Sequence, residues 1–268
     1  MSLRRLFYKR LVPELLSRPM FYRLNRMMFR VAASGVGVGN HNIGRRDELR
    51  LLQKLSKTLP AEAIILDVGA NSGQYARIAR KAFPNAHIYS FEPNPAAFAK
   101  LQAAAKDLRI NAIALGCANT PGRLPMFDRS ADAGTPFATL VPGVLEQAGM
   151  NPVRFEVELT TIDLFCAEQG IDHVDLLKID VEGSEKSVLE GASAMLAQRK
   201  VRLVQFEFNE MNLLSRTTMD DIAALLPGYA LNRLLYDGSL LSIDSVAPLN
   251  RNLFGFQNIV AVRKDGHP

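Results

Sequence analysis

The sequence predicts an α/β fold, a mostly parallel sheet covered by helices on both faces and preceded by a helical arm. Two observations carry this expectation. From residue 64 onward, short and almost continuously apolar runs alternate with stretches of helical length, the pattern of strands buried on both faces. The first run also ends in a glycine-rich turn that opens a helix, Asp67-Val-Gly-Ala-Asn-Ser-Gly73. A chain of 268 residues, 48% hydrophobic and 22% charged, has material for one sizeable core.

The elements are expected in the following order. An arm takes residues 1–44 and the main domain takes 45–268. Within the arm, Leu24, Met27, Met28 and Val31 recur at i, i+3, i+4 and i+7, beside a stripe of Arg23, Arg26 and Arg30. Residues 34–39 read as a flexible glycine hinge and not a phosphate loop, because no strand leads into them. A helix over 47–58 places Leu49, Leu52 and Leu55 on one face. Strands at 64–68, 86–91 and 110–115 alternate with helices at 74–83 and 95–106. Residues 128–153 are rich in Gly, Pro, Ala and Ser, and so long a loop in a compact domain is usually functional. Regularity returns at 154–160, then a helix from Asp163 and a strand at 174–180. The next helix aligns Val188, Leu189, Ala192, Met195 and Leu196 on one face. Strands at 201–206, 229–236 and 257–262 complete a sheet of seven, the last two as an antiparallel pair at its edge.

Charge is unevenly spread. The net value is +5, yet residues 1–50 hold eleven Lys and Arg against three acids, which leaves the remainder slightly acidic. The main domain is therefore not expected to bind nucleic acid. Cys117 and Cys166 have no metal-ligand spacing and read as buried thiols in a reducing, cytoplasmic compartment. No apolar run reaches the roughly 20 residues of a membrane-spanning helix, and the start is too charged for a secretory signal.

The glycine turn has G-x-x-x-G spacing led by an acid, where a dinucleotide site wants G-x-G-x-x-G. Asp67 would repel a pyrophosphate but can hold an ammonium group. Gly69, Ala70, Asn71 and Gly73 bring backbone close to a ligand at a helix N-terminus. Glu92, at the end of the second strand, can accept both hydroxyls of a ribose. Leu115, ending the third strand, is counted with this cofactor-binding set.

The fourth parallel strand carries Lys178, Asp180 and Glu182, which alternate to one side of an extended chain. Charged groups in the middle of a sheet cost several kcal/mol unless paired, so these three are the candidate catalytic residues. Glu207 and Asn209, ending the fifth strand, could complete an oxygen-rich metal site with Asp180, suited to Mg²⁺. None of the four histidines falls in a ligand pattern.

Together these segments resemble the FkbM-type methyltransferase family. The resemblance rests on Asp67–Gly73, Phe91-Glu-Pro-Asn-Pro95, Thr161-Ile-Asp163, Leu177–Glu185 and Val188-Leu-Glu-Gly-Ala192. It implies a class I, Rossmann-like methyltransferase fold with S-adenosylmethionine as cofactor. It also implies O-methylation of a hydroxyl on a sugar, glycolipid or other small natural product. Cofactor binding falls on Asp67, Gly69, Asn71, Gly73 and Glu92, and Asp180 and Glu182 fall at the reaction centre with neither assigned as base. The arm and the 128–153 loop lie outside the shared segments and are expected to determine the acceptor. A non-catalytic domain of this type and an NAD-type oxidoreductase are the alternatives, disfavoured by the complete acid set and by the glycine spacing. The arm is expected to pack on the domain or a second subunit, with peripheral membrane contact as the other reading.

Overall fold

A computed structural model describes residues 9, 12–39, 45–130, 134–135, 137–147, 149–245 and 251–264. Expectations for Arg4, Arg5, Arg10, His41, His267 and parts of the 128–153 loop lie outside the described residues. Among the described residues, two α-helices, α1 (Val12–Leu16) and α2 (Tyr22–Gly35), with a 3₁₀ turn (Pro19–Phe21) between them, precede α3 (Arg46–Leu55). Then come β1 (Ile64–Val68), α4 (Gln74–Ala82), β2 (His87–Phe91), α5 (Pro95–Leu108) and β3 (Asn111–Ile113). The Asn94 side chain accepts the Ala96 and Ala97 N–H groups, and Pro95 takes the first helical position of α5, where its missing donor costs nothing.

The chain continues through β4 (Gly116–Cys117), β5 (Gly122–Asp128), α6 (Val144–Gln147) and β6 (Val153–Thr160). After α7 (Ile162–Gln169) come β7 (Val174–Ile179), α8 (Glu185–Glu190), α9 (Ser193–Ala197) and β8 (Val201–Phe208). It closes with α10 (Glu210–Leu214), α11 (Met219–Ala224), β9 (Tyr229–Leu234), β10 (Leu240–Ser242) and β11 (Gln257–Arg263).

The main sheet has the order β10-β9-β11-β8-β7-β1-β2-β3. β3, β2, β1, β7 and β8 run parallel, while β11 lies antiparallel between β8 and β9. The edge pair is as expected, but the described sheet has eight strands and not seven. The extra one, β10, folds back antiparallel on β9. One apolar layer packs helices α7, α8, α9 and α11 on one face, and a second packs α3, α4 and α5 on the other.

Four other features depart from the expectations. β4, β6 and β5 form a separate three-stranded sheet, in which β5 and β6 are a hairpin with the 128–153 segment at its tip. The helix after β7 is broken in two at Gly191, where a Cβ would lie 2.0 Å from the Ala118 carbonyl oxygen. The buried face of α3 is Glu48, Leu51, Leu52 and Leu55, not Leu49, Leu52 and Leu55. The glycine hinge is docked. Val38 is buried and the Gly39 N–H donates to the Phe256 carbonyl at 2.7 Å.

Because the broken helix lets the Ala118 backbone approach, Gly191→Ala should lower the unfolding free energy by about 1–3 kcal/mol. A urea titration checks this, and unchanged stability would refute the close approach.

Candidate active site

The chain runs outward from β1 to β3 and returns to β7 on the other side of β1, so strand order reverses between β1 and β7. Ligands in open α/β sheets bind beyond the carboxyl ends of strands at such a point. A cavity of about 470 Å³ opens there, within the range of small-molecule sites. Its floor is the ends of β1, β2, β7 and β8. One wall comes from the small sheet and its loop, through Cys117, Met126, Thr135, Phe137 and Leu140.

Beneath the floor lies a buried polar network. The register sets Asp67, Lys178 and Gln205 side by side across β1, β7 and β8. Lys178 has no exposed surface, and its Nζ lies 3.2 Å from Asp180 Oδ2 and 5.5 Å from the centre of the Tyr75 ring. That ammonium–carboxylate contact is an ion pair not aligned as a hydrogen bond. Arg45 closes the other side, donating to Asp180 Oδ2 at 3.3 Å and to Glu48 Oε2 at 2.8 Å. Glu48 in turn accepts from Gln205, which accepts from the Tyr75 hydroxyl. Burial opposes the charge on Lys178, but Asp180 and Glu48 hold its ammonium above the usual range. Burial likewise opposes ionised Asp180, yet Lys178 and Arg45 outweigh it and hold the carboxyl below the usual range.

The cavity face is acidic. Glu92, Asp180, Glu182, Glu207 and Glu210 line it, against the single cation Arg45 among the described lining residues. Burial lifts Glu92 to about 7. Its oxygens accept the Asn71 and Asn94 N–H groups, both at 2.8 Å, which leaves one further acceptor position on each oxygen. Burial and then Asp180 lift Glu182 to about 8, and the same two causes lift Glu207 well above its ordinary value. Asp180, Glu182 and Glu207 each offer an oxygen within 4.8 Å of the others. Asp180, held ionised by Lys178 and Arg45, opposes ionisation of the other two.

Glu182 does not reach the site by strand alternation, since β7 ends at Ile179. It stands in the left-handed region at φ 51°, held by Thr139, whose hydroxyl donates to the Glu182 carbonyl at 2.8 Å. Glu185 accepts the neighbouring Gly183 N–H at 3.1 Å. A non-glycine residue kept there costs about 1–3 kcal/mol, and such strain gathers at functional sites.

Of the expected cofactor residues, Gly69, Asn71 and Glu92 line the cavity, whereas Asp67, Ala70, Gly73 and Leu115 do not. Asp67 is buried beside Lys178, and burial lifts its carboxyl to about 6. Ala70 and Leu115 pack into the core. Gly69 also has a reason to be glycine that the sequence did not suggest. At φ 81° a Cβ there would lie 1.8 Å from the Asp180 carbonyl oxygen, so the residue lets β1 and β7 close together. Lys178 sits behind Asp180, away from the cavity. Asn209 lines it, but its side-chain oxygen caps α10 by accepting the Met211 N–H, so Glu182 takes its place in the acidic cluster.

Sequence reasoning missed Arg45 and Glu48. The run Arg45-Arg46-Asp47-Glu48 looks like a solvated helix start. Yet Glu48, Leu51, Leu52 and Leu55 follow i, i+3, i+4, i+7, and that spacing is the signal for Glu48.

Residues 67–233 match the model of the methyltransferase FkbM domain. The chain is 27% identical over 180 residues to the 2-O-methyltransferase NoeI of Sinorhizobium fredii, covering 63% of this chain and 73% of that protein. It is 29% identical over 200 residues to the 31-O-demethyl-FK506 methyltransferase FkbM of Streptomyces tacrolimicus, covering 62% and 71%. Among solved structures, the plantazolicin methyltransferase BpumL in complex with SAH aligns over 97% of this chain and 96% of its own, at 12% identity and a TM-score of 0.44.

Lys178→Met leaves a buried carboxylate with half its compensation and should cost about 3–5 kcal/mol at pH 7. Lowered Asp180 and raised Lys178 both contribute stability between about pH 5 and 10, so the deficit should shrink as pH falls toward 4. Adding Asp180→Asn should recover part of it. Denaturation across pH measures both effects, and a deficit independent of pH would contradict the pairing.

Proposed function

The chain belongs to the FkbM methyltransferase family, and we propose that it moves a methyl group from S-adenosylmethionine to a hydroxyl oxygen of a small acceptor, such as a sugar, a glycolipid or a polyketide-like product. The observation that carries this reading is Glu92, a buried carboxylate with two free acceptor positions at the floor of an acid-lined cavity. A vicinal ribose diol matches those positions, and a ligand with a sulfonium and an ammonium matches the surrounding charge. A pyrophosphate does not, which disfavours an oxidoreductase. The two relatives named above carry O-methyltransferase names, which supports oxygen as the acceptor atom.

Bound S-adenosylmethionine supplies an electrophilic methyl group. The rest is work for the chain. Glu92 would hold the ribose hydroxyls, and Arg45, the cation among the described lining residues, would hold the amino-acid carboxylate. Asp180, kept ionised by Lys178 and Arg45, favours positive charge above it in a site where burial strengthens each interaction. Glu182 and Glu207 orient the acceptor hydroxyl. Glu182 takes its proton as methyl transfer proceeds, because a carboxylate lifted to about 8 is a stronger base than Asp180.

A second reading rests on the 4.8 Å cluster of Asp180, Glu182 and Glu207. An all-oxygen set suits Mg²⁺, which would relieve the same repulsion and acidify the hydroxyl. Full turnover after EDTA treatment would remove it.

Glu182→Gln should lower kcat about 10²–10⁴-fold, with S-adenosylmethionine affinity unchanged. Methyl transfer from labelled cofactor to a panel of hydroxylated glycans and polyketides measures it. The wild-type rate should rise with pH to a plateau above about pH 8, and the variant should lose that limb. Ionised Glu182 is disfavoured in the folded state, so wild-type stability should fall as pH rises through 8. The variant should therefore melt higher than wild type at pH 9, with the difference gone below about pH 5. Unchanged kcat would overturn the assignment.

A further inference from the structure

The helix α2 spans fourteen residues and buries none of them. Leu24, Met27, Met28 and Val31 share one face at i, i+3, i+4 and i+7, and they are 42–68% exposed. Only Asn25 and Ala33 are even half-buried. Arg23, Arg26 and Arg30 form the flank of that face, and α2 contains no acidic residue. Its C-terminal end is tied to the domain at Val38 and Gly39. The helix is thus anchored at one end and stands clear of the domain it was expected to cover.

We propose that α2 seats the protein on an anionic lipid bilayer. The apolar face enters the boundary between headgroups and acyl chains, and Arg23, Arg26 and Arg30 meet lipid phosphates. Charge decides between this partner and a second copy of the chain. Two-fold pairing of α2 faces would leave the arginines of each copy without a carboxylate from the other, since α2 contains none, and an antiparallel pair would set the two arginine flanks side by side. An anionic bilayer offers apolar depth and negative charge at once. The contact is peripheral, since no described helix is long and apolar enough to cross a membrane.

The test is co-sedimentation of the full chain with vesicles of phosphatidylcholine alone or with about one third phosphatidylserine. Binding is expected on the anionic vesicles only, with most of it lost in 0.5 M NaCl. Each arginine near the surface is worth about fivefold in partitioning, so Arg23→Gln/Arg26→Gln/Arg30→Gln should weaken binding on the order of 100-fold. Met27→Asp/Val31→Asp should abolish it. All five positions are exposed, so both variants should keep the wild-type melting temperature. Equal binding to neutral vesicles, or none to anionic vesicles at 0.05 M salt, overturns the proposal. So does a wild-type dimer in sedimentation equilibrium that Met27→Asp/Val31→Asp dissociates. None of these outcomes depends on methyl transfer.

Discussion

A lysine ammonium with no exposed surface lies in the middle of the parallel sheet, and much of the molecule is arranged to make that tolerable. An unpaired charge there would cost several kcal/mol. Lys178 is met by Asp180 just past the end of its own strand, by the Tyr75 ring from α4, and indirectly by Glu48 from α3. Arg45, which meets the same carboxylate, is itself left-handed at the start of α3, φ 56°. One turn on, the helix buries Glu48 beside Leu51, Leu52 and Leu55. The pairing also acts outward. It leaves Asp180 negative at the cavity floor, and that charge, on top of burial, raises Glu182 and Glu207. Structural compensation and chemical tuning come from the same pair.

The polar side of the cavity follows from strand ends, and its apolar side follows from the small sheet. Asn71 donates toward the Gly134 and Thr135 carbonyls, both at 3.4 Å, and Asn94 donates to Asp128 at 3.0 Å. The loop at the hairpin tip is thus tied to the glycine-rich turn after β1 and to the start of α5. Phe137 and Leu140 line the same cavity as Glu182, whose carbonyl accepts the hydroxyl of the intervening Thr139.

Much of this was legible in the sequence wherever a local rule decides the outcome. Apolar runs with period-breaking glycines located the parallel strands, and Asn94-Pro95 marked the start of α5 to the residue. Glu92 and the acids after β7 were recognisable because carboxylates at strand ends have few structural uses. What was hidden depends on contacts distant in sequence. Gly69 owes its identity to the Asp180 carbonyl, and Gly191 to that of Ala118. Arg45 pairs with a residue 135 positions away. The small sheet was missed because β5 is exposed at its start and contains Pro125, a residue tolerated only at a strand edge.

Binding of S-adenosylmethionine through Glu92 in this acid-lined cavity is open to direct measurement. Titration calorimetry of S-adenosylmethionine into wild type and Glu92→Gln at pH 8 tests it most directly. A hydrogen bond to a charged group is worth about 1.5–3 kcal/mol, so the variant should bind roughly 10–100-fold more weakly, and its melting temperature should fall because its NH2 cannot accept one of the two backbone N–H groups that Glu92 holds. No binding by wild type, or equal affinity in the two proteins, would contradict the account.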